Sequence, residues 1–181
     1  MLSDTQKMSL LKFARDVISA HLDSSQTPVL EHDEFEQKKG IFVSLHIDGE
    51  LRGCIGYIRP YKSILESVRE MALAAAFRDP RFSPVRRDEL AQIDIEISIL
   101  GELILVEDAT EILIGRDGLY IDHPQGSGLL LPQVATEYGW NVPEFLHNLS
   151  RKAGLRESAL KSPDTKLYRF EAEIFSSSDI S

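Results

Sequence analysis

Apolar residues in the first part of the chain recur every three or four positions, which is the spacing of one face of an α-helix. They are Leu10, Leu11, Ala14, Val17, Ile18 and Leu22. Ser3 and Gln6 have the spacing of a capping box, which fixes the first turn of a helix. The pattern predicts a helix over residues 3–22, followed by a long loop over residues 23–39, where Pro28 disfavours a helix.

Alternation of apolar and polar residues predicts a β-hairpin over residues 41–58. In its first strand Ile, Val, Leu and Ile occupy the odd positions, whereas Phe, Ser and His occupy the even ones. Asp48-Gly49 is typical of a tight hairpin turn. The returning strand is expected to carry Arg52 and Cys54 on one face, because successive side chains of a strand point to opposite sides.

The rest of the chain alternates predicted helices with predicted strands. Helices begin at Ser63, Pro132 and Asn141, and strands cover residues 93–99, 119–122, 129–131 and 167–174. We expect the last strand to lie at the edge of a sheet, because its outer face is largely polar. Hairpins separated by helices favour an α+β fold with a mixed or largely antiparallel sheet over a doubly wound parallel sheet.

Composition indicates one globular domain with a loose end. A chain of 181 residues with 43% apolar and 27% charged residues is long enough to bury one core and short for two independent ones. We therefore expect residues 1–175 to form a single domain. The Ser-rich residues 176–181 are expected to form a flexible tail, because they offer little apolar surface to bury.

Charge and apolar runs restrict the compartment and the partners. No apolar stretch approaches the ~20 residues that span a bilayer, and the first residues lack the features of a signal peptide. The single cysteine, Cys54, is compatible with a reducing compartment, so we expect a cytoplasmic protein with no membrane partner. The net charge of -9 opposes binding to phosphate backbones and argues against nucleic acid as a partner.

A local basic patch runs through residues 78–87. It comprises Arg78, Arg81, Arg86 and Arg87, and its charge is interrupted by Asp79, Asp88 and Glu89. Two interpretations stay open for this patch. It is either a solvated surface loop or a site that binds a small anion through Arg78 and Arg81, together with Arg52.

Cys54 lies in the most unusual stretch of the sequence, Leu-Arg-Gly-Cys-Ile-Gly. Glycines inside a strand mark a bulge or the close approach of a ligand or another backbone segment. Arg52 is expected on the same face, and a guanidinium beside a thiol favours the thiolate, which is the nucleophilic form. Cys54 is therefore a candidate nucleophile or redox thiol, and the alternative is a small buried core residue.

The strand over residues 93–99 carries two carboxylates on its polar face, Asp94 and Glu96. Glu96, or else Asp94, is the expected partner of Arg52, because a carboxylate on a neighbouring strand can pair with a guanidinium through two hydrogen bonds. The alternative is a solvent-exposed strand face. No cluster of His, Cys, Asp and Glu at ligand spacing predicts a metal site, and the sequence indicates no particular cofactor.

Five sequence segments occur in an order that is typical of one protein family. They are LRGCIG from Leu51, FRDPRFSPV from Phe77, IEISIL from Ile95, LLLPQVATEYGW from Leu129 and RKAGL from Arg151. The chain therefore resembles the AMMECR domain family, whose prokaryotic members are called AmmeMemoRadiSam system protein A. The LRGCIG hexapeptide is the hallmark of that family. One position differs, since Ser150 stands where many prokaryotic relatives carry a second cysteine, so thiol chemistry here depends on Cys54 alone.

The resemblance implies an α+β domain with two unequal lobes around a cleft, and an association with Memo-like and radical-SAM proteins in a modification pathway. Two functions are then open. One is a binding or scaffold module that holds a partner or a small anion through Arg52, Arg78 and Arg81. The other is an enzyme that uses Cys54 and Arg52, with Glu96 orienting Arg52 or moving protons. On the sequence alone we favour binding, because no general base is evident near Cys54.

Overall fold

The structure is a computed structural model that describes residues 1–30 and 33–179. The chain divides into two compact units. Unit one comprises Met1–Leu100 and the C-terminal segment from Glu173, and unit two comprises Gly101–Ala172. Each unit contains its own cluster of buried apolar side chains. None of the helices in the described ranges has the length and apolarity that crossing a bilayer requires.

The arrangement of helices and strands confirms the predicted α+β class. The helices are α1 (Asp4–Leu22), α2 (Ile64–Phe77), α3 (Pro132–Tyr138) and α4 (Val142–Lys152). The strands are β1 (Ile41–Ile47), β2 (Glu50–Tyr57), β3 (Asp94–Leu100), β4 (Ile104–Leu105), β5 (Gly118–His123), β6 (Gly126–Leu130), β7 (Lys166–Phe170) and β8 (Ala172–Ser176). They form two four-stranded sheets in the orders β2-β1-β3-β8 and β4-β7-β5-β6. The pairs β1–β2, β1–β3, β4–β7, β5–β6 and β5–β7 are antiparallel.

The core of unit one lies between its sheet and the helices α1 and α2. Ile41, Val43 and Leu45 of β1 and the odd-numbered isoleucines of β3 are buried there, as their alternation predicted. The predicted capping box fixes the start of α1, since Ser3 N–H donates to Gln6 Oε1 at 2.7 Å and Gln6 N–H donates to Ser3 Oγ at 3.3 Å. The opposite face of β1 therefore carries its polar residues, and the candidate chemistry lies on that face.

The strand β2 lies at the edge of this sheet and runs close to α2. A Cβ atom added to Gly53 would lie 2.2 Å from the carbonyl oxygen of Ala75, so only glycine allows the helix this close. Gly53 thus faces α2, and Cys54, its neighbour in the strand, faces the other side. The glycines of LRGCIG are accordingly packing residues, and they fix which way the thiol points.

The closing strand differs from its prediction. Residues 167–174 were expected to form one edge strand, but they belong to β7 and β8, which lie in different sheets and are separated at Glu171. β7 lies inside its sheet, between β4 and β5, whereas β8 is at an edge. Alternation is continuous through these residues, and it gives no information on which strand pairs with which.

The Ser-rich end of the chain is hydrogen-bonded to β3 over part of its length. Ser177 N–H donates to the carbonyl oxygen of Ile95 at 2.9 Å, and Ser178 N–H donates to Asp94 Oδ1 at 2.9 Å. Residues 180 and 181 of the predicted flexible tail lie outside the described residues. The flexibility of this end therefore stays a prediction.

Unit two is built on the β5–β6 hairpin, with α3 and α4 packed against it. A Cβ atom on Gly126 would lie 2.2 Å from the carbonyl oxygen of Ala153, so this glycine lets the end of α4 approach the strand. Asp117 is fully buried and accepts hydrogen bonds from Arg116 Nε at 2.8 Å and from Leu113 N–H at 2.8 Å. Packing therefore explains the glycine at position 126 and the buried carboxylate of Asp117.

The close approach of Gly53 to α2 gives the first prediction. Replacing Gly53 with Ala should lower the free energy of unfolding by about 1–3 kcal/mol, because the added methyl group overpacks the core. Urea unfolding followed by circular dichroism measures the change. Glu50→Ala, at the exposed start of the same strand, is the control and should stay within ~0.5 kcal/mol of wild type. Equal midpoints for Gly53→Ala and wild type would contradict the close approach.

Candidate functional site

Three polar side chains lie in one row across the sheet of unit one. Ser44, on the central strand β1, pairs in register with Cys54 of β2 on one side and with Glu96 of β3 on the other. Directly opposite residues of antiparallel strands share a face and have Cβ atoms about 4.5–5.5 Å apart. Ser44 Oγ donates a hydrogen bond to Cys54 Sγ at 3.2 Å. The register thus brings together two predicted site residues, Cys54 and Glu96, with Ser44 between them.

The surroundings of this row are polar and partly open. Ser44 is buried, whereas Cys54 and Glu96 are each half-buried. The next row consists of Gly56, Phe42 and Ser98, and the Phe42 ring occupies the space that a side chain at Gly56 would fill. Cys54 is therefore neither a fully buried core residue nor fully exposed.

The backbone of Cys54 is held by the segment that follows α2. Cys54 N–H donates to Asp79 Oδ2 at 2.9 Å, and Arg81 Nη2 donates to the carbonyl oxygen of Cys54 at 3.2 Å. Because β2 is an edge strand, it has no neighbouring strand on this side to satisfy these two groups. The Asp79 and Arg81 side chains take the place of that strand.

Asp79 and Arg81 form a tight pair. Arg81 donates to Asp79 Oδ1 from its backbone N–H at 3.1 Å and from Nε at 3.0 Å, and to Oδ2 from Nη2 at 2.8 Å. The Asp79 side chain is only 1% exposed. The hydrogen bond from Arg81, followed by those from the Cys54 and Arg81 backbones, lowers the pKa of Asp79 to about 2. The hydrogen bond to Asp79 raises the pKa of Arg81.

Arg52 contacts a different carboxylate from the one predicted. Its Nε and Nη2 donate to the two oxygens of Glu89 at 2.9 and 3.1 Å, and its remaining bonds go to the carbonyl oxygens of Ser83 and Pro84. The predicted pairing with Glu96 is therefore wrong. The register between β1 and β2 shifts so that Arg52 is left without a partner on β1, and such a bulge redirects the side chain. The bond from Arg52 also lowers the pKa of Glu89.

The alternative partner, Asp94, is engaged elsewhere. Its two oxygens accept hydrogen bonds from the backbone and the hydroxyl of Ser178. Sequence reasoning missed both Asp79 and Glu89 as site residues, because they were interpreted only as charges that weaken a basic patch. The signal was present in their position, since each acid lies within a few residues of the arginines in that patch.

The basic patch is largely a set of ion pairs. Arg81 pairs with Asp79, Arg86 with Asp88 and Arg87 with Asp23. Arg78 differs from these three, because it is exposed at the C-cap of α2 and has no carboxylate within ion-pair distance in the described part of the chain. Arg78 and the exposed side of Arg81 are what this patch offers to a ligand.

Ser150, the position at which the family resemblance implied a second cysteine in other members, lies on α4 in unit two. It is buried, and its Oγ donates to the carbonyl oxygen of Leu146 at 3.1 Å.

Within the described residues there is also no group of three or more His, Cys, Asp and Glu side chains that could hold a metal ion.

The Asp79 pair predicts a specific loss of stability in acid. The pKa of Asp79 is about 2 in the folded chain, below its ordinary value of 3.8, so the ionised form stabilises the fold above pH ~4. Protonation on falling pH should remove about 2 kcal/mol by pH 2. The difference in unfolding free energy between wild type and Asp79→Asn should therefore shrink between pH 5 and pH 2.

Urea unfolding at several pH values measures that difference. Glu50→Gln, which removes an exposed carboxylate from the start of β2, is the control and should give a difference that changes little with pH. A constant difference for Asp79→Asn would show that the ionised carboxylate does not stabilise the fold through this pair.

Comparison with known proteins confirms the family that the sequence resembles. A protein of Methanothermobacter thermautotrophicus is 44% identical over 183 residues, covering 96% of this chain and 95% of that protein. A protein of Methanocaldococcus jannaschii is 45% identical, covering 91% and 87%. The crystal structure of an uncharacterized protein from Pyrococcus horikoshii matches with a TM-score of 0.87 at 37% identity, covering 92% of this chain and 89% of that one. A sequence model of the AMMECR1 family matches residues 11–175, and the chain therefore belongs to the AMMECR1 family.

Proposed function

We propose that this domain is a cysteine-dependent enzyme in which Cys54 is the nucleophile. The observation that carries the proposal is the hydrogen bond from Ser44 Oγ to Cys54 Sγ, 3.2 Å long, in a row that continues to Glu96. Donation of a hydrogen bond to sulfur favours its charged form, as does the nearby guanidinium of Arg81. The sequence alone favoured binding for lack of a general base, and the position of Glu96 supports the enzyme instead.

In the proposed step, Cys54 Sγ forms a bond to an electrophilic carbon of the substrate. Before the step, the thiol donates to Ser44 Oγ and the Ser44 hydroxyl donates to Glu96. The thiol proton then passes to Ser44 Oγ while the hydroxyl proton passes to the Glu96 carboxylate, which leaves Ser44 donating to the sulfur. The leaving group departs with the electron pair of the bond that breaks. The negative charge of Glu96 is thus transferred to the leaving group, and no oxidant or reductant is needed.

Arg52 has a positioning role in this proposal. Its guanidinium joins Glu89 to the carbonyl oxygens of Ser83 and Pro84, which fastens the loop after α2 to β2. The same loop begins with Asp79 and Arg81, which hold the Cys54 backbone. Arg52 therefore acts on the thiol through the loop.

Alkylation of Cys54 by iodoacetamide at neutral pH tests the proposal. Ser44→Ala should slow the reaction about fivefold, the factor that corresponds to a hydrogen bond of ~1 kcal/mol. Glu96→Gln should slow it as well, because the proton acceptor is lost. Since the chain has one cysteine, the gain in mass on alkylation reports on Cys54 alone.

The direction in which Glu96→Gln changes the alkylation rate distinguishes a proton acceptor from a carboxylate that acts only through its charge. A carboxylate that acted only through its negative charge would oppose the thiolate, so its removal would speed alkylation and contradict the proposed proton transfer. Thr27→Ala, which removes an exposed hydroxyl in the same unit, is the control and should leave the rate unchanged. If native Cys54 reacts only after unfolding, it is a structural residue and the enzyme proposal fails.

A second candidate is a binding component of a modification pathway with Memo-like and radical-SAM partners. The observation that favours it is the exposure of Arg78, which has no ion-pair partner in the described ranges, beside Arg81, whose side chain is 55% exposed. Arg52 contributes little to this candidate, because Glu89 and two carbonyl oxygens already engage it. The family resemblance suggests the class of partner.

Binding to purified Memo-like and radical-SAM proteins from the same organism tests this candidate. Arg78→Glu should weaken the affinity about tenfold or more, because an exposed arginine at the centre of an interface often contributes a large share of the binding energy. Isothermal titration calorimetry measures the affinity. Glu107→Gln, in the other unit, is the control. Wild-type affinity in Arg78→Glu would show that this surface is not where the partner binds.

A further inference from the structure

Arg81 has hydrogen-bond donors that the protein itself does not use. Its Nε and Nη2 donate to the two oxygens of Asp79, and Nη2 also donates to the carbonyl oxygen of Cys54. Its Nη1 has no acceptor among residues 1–30 and 33–179. More than half of the side chain is exposed, so the two N–H groups of Nη1 are open to a ligand.

The orientation of this guanidinium is fixed. Asp79 holds one edge through two hydrogen bonds, and the Phe82 ring lies 5.4 Å from its central carbon. Both oxygens of Asp79 accept hydrogen bonds and the carboxylate is 1% exposed. The exposed side of the pair therefore presents N–H donors, and the carboxylate that would repel an anion faces inward.

The donors lie beside the residue that carries the thiol. Since Nη2 contacts the carbonyl oxygen of Cys54 at 3.2 Å, a group bound at Nη1 lies within the length of a small molecule from Sγ. Arg78, three residues earlier, adds a positive charge that has no ion-pair partner in the described part of the chain. A planar guanidinium with two free N–H groups matches the oxygens of a carboxylate or a phosphate.

Building on the proposed role of Cys54 as nucleophile, we propose that Arg81 Nη1 binds a carboxylate or phosphate group of the molecule that Cys54 attacks. The substrate class is then a small anionic electrophile. Asp79 and the Cys54 carbonyl hold the guanidinium in place, so little side-chain freedom is lost when the anion binds.

Two alkylating reagents of similar size and shape, the anion iodoacetate and the neutral iodoacetamide, test this inference on the full chain. With either reagent Cys54 Sγ bonds to the CH2 carbon, iodide leaves with the electron pair, and the thiol proton passes finally to the buffer. Both rate constants depend equally on the reactivity of the thiol. Dividing the iodoacetate rate constant by the iodoacetamide rate constant therefore removes that dependence. The ratio should be about tenfold higher in the native chain than in the same chain unfolded in urea at equal ionic strength.

Variants identify the donor. Arg81→Gln should lower the ratio to that of the unfolded chain, and Arg81→Lys should give a value between the two. Arg87→Gln, which removes an exposed arginine paired with Asp23, should leave the ratio at the wild-type value. In wild type, inorganic phosphate should slow alkylation by iodoacetate more than chloride does at matched ionic strength, which tests the site even if Arg81→Gln does not fold.

The outcomes separate this inference from the proposed function. Fast alkylation by iodoacetamide with equal ratios in the native and unfolded chains overturns the anion site and leaves the nucleophile in place. No reaction of native Cys54 with either reagent overturns both. A raised ratio that Arg81→Gln does not change overturns the assignment to Arg81.

Discussion

The Asp79 carboxylate is the group on which the rest of the site depends. It accepts the N–H of Cys54 and three N–H groups of Arg81, whose guanidinium in turn satisfies the Cys54 carbonyl. An open strand edge exposes such backbone groups to pairing with other chains. Here the side chains of Asp79 and Arg81 bond to the backbone groups of Cys54 at this edge. A buried carboxylate is tolerated because each of its oxygens is hydrogen-bonded and its charge is paired.

In this acidic chain, Arg52 and Arg81 mainly hold the loop after α2 against β2. Arg52 of β2 bonds to Glu89 on the loop after α2, and Arg81 of that loop bonds to the Cys54 carbonyl oxygen of β2. The acids that interrupt the basic run in the sequence are the partners of those arginines. The ligands that this surface can bind therefore depend on the hydrogen-bond donors that no protein group engages. The net charge of the segment predicts them poorly.

The row of Cys54, Ser44 and Glu96 holds opposing influences on the thiol. The Ser44 hydroxyl and the Arg81 guanidinium favour the thiolate, whereas the negative charge of Glu96 opposes it. A carboxylate of this kind can still accept the thiol proton when a substrate is attacked, because its own charge is then neutralised. The arrangement is consistent with a thiol that is deprotonated as it reacts.

The sequence by itself determined the helices, most of the strands and the family, because periodicity, caps and motifs are local properties. It also pointed to Cys54 and Glu96. Tertiary structure decided which of these residues meet. Glu96 is separated from β2 by β1, so it aligns with Ser44 and Cys54, whereas the bulge at Arg52 turns that side chain to Glu89. Strand order, register shifts and the path of a loop depend on contacts between residues distant in sequence. Such contacts cannot be predicted from local alternation.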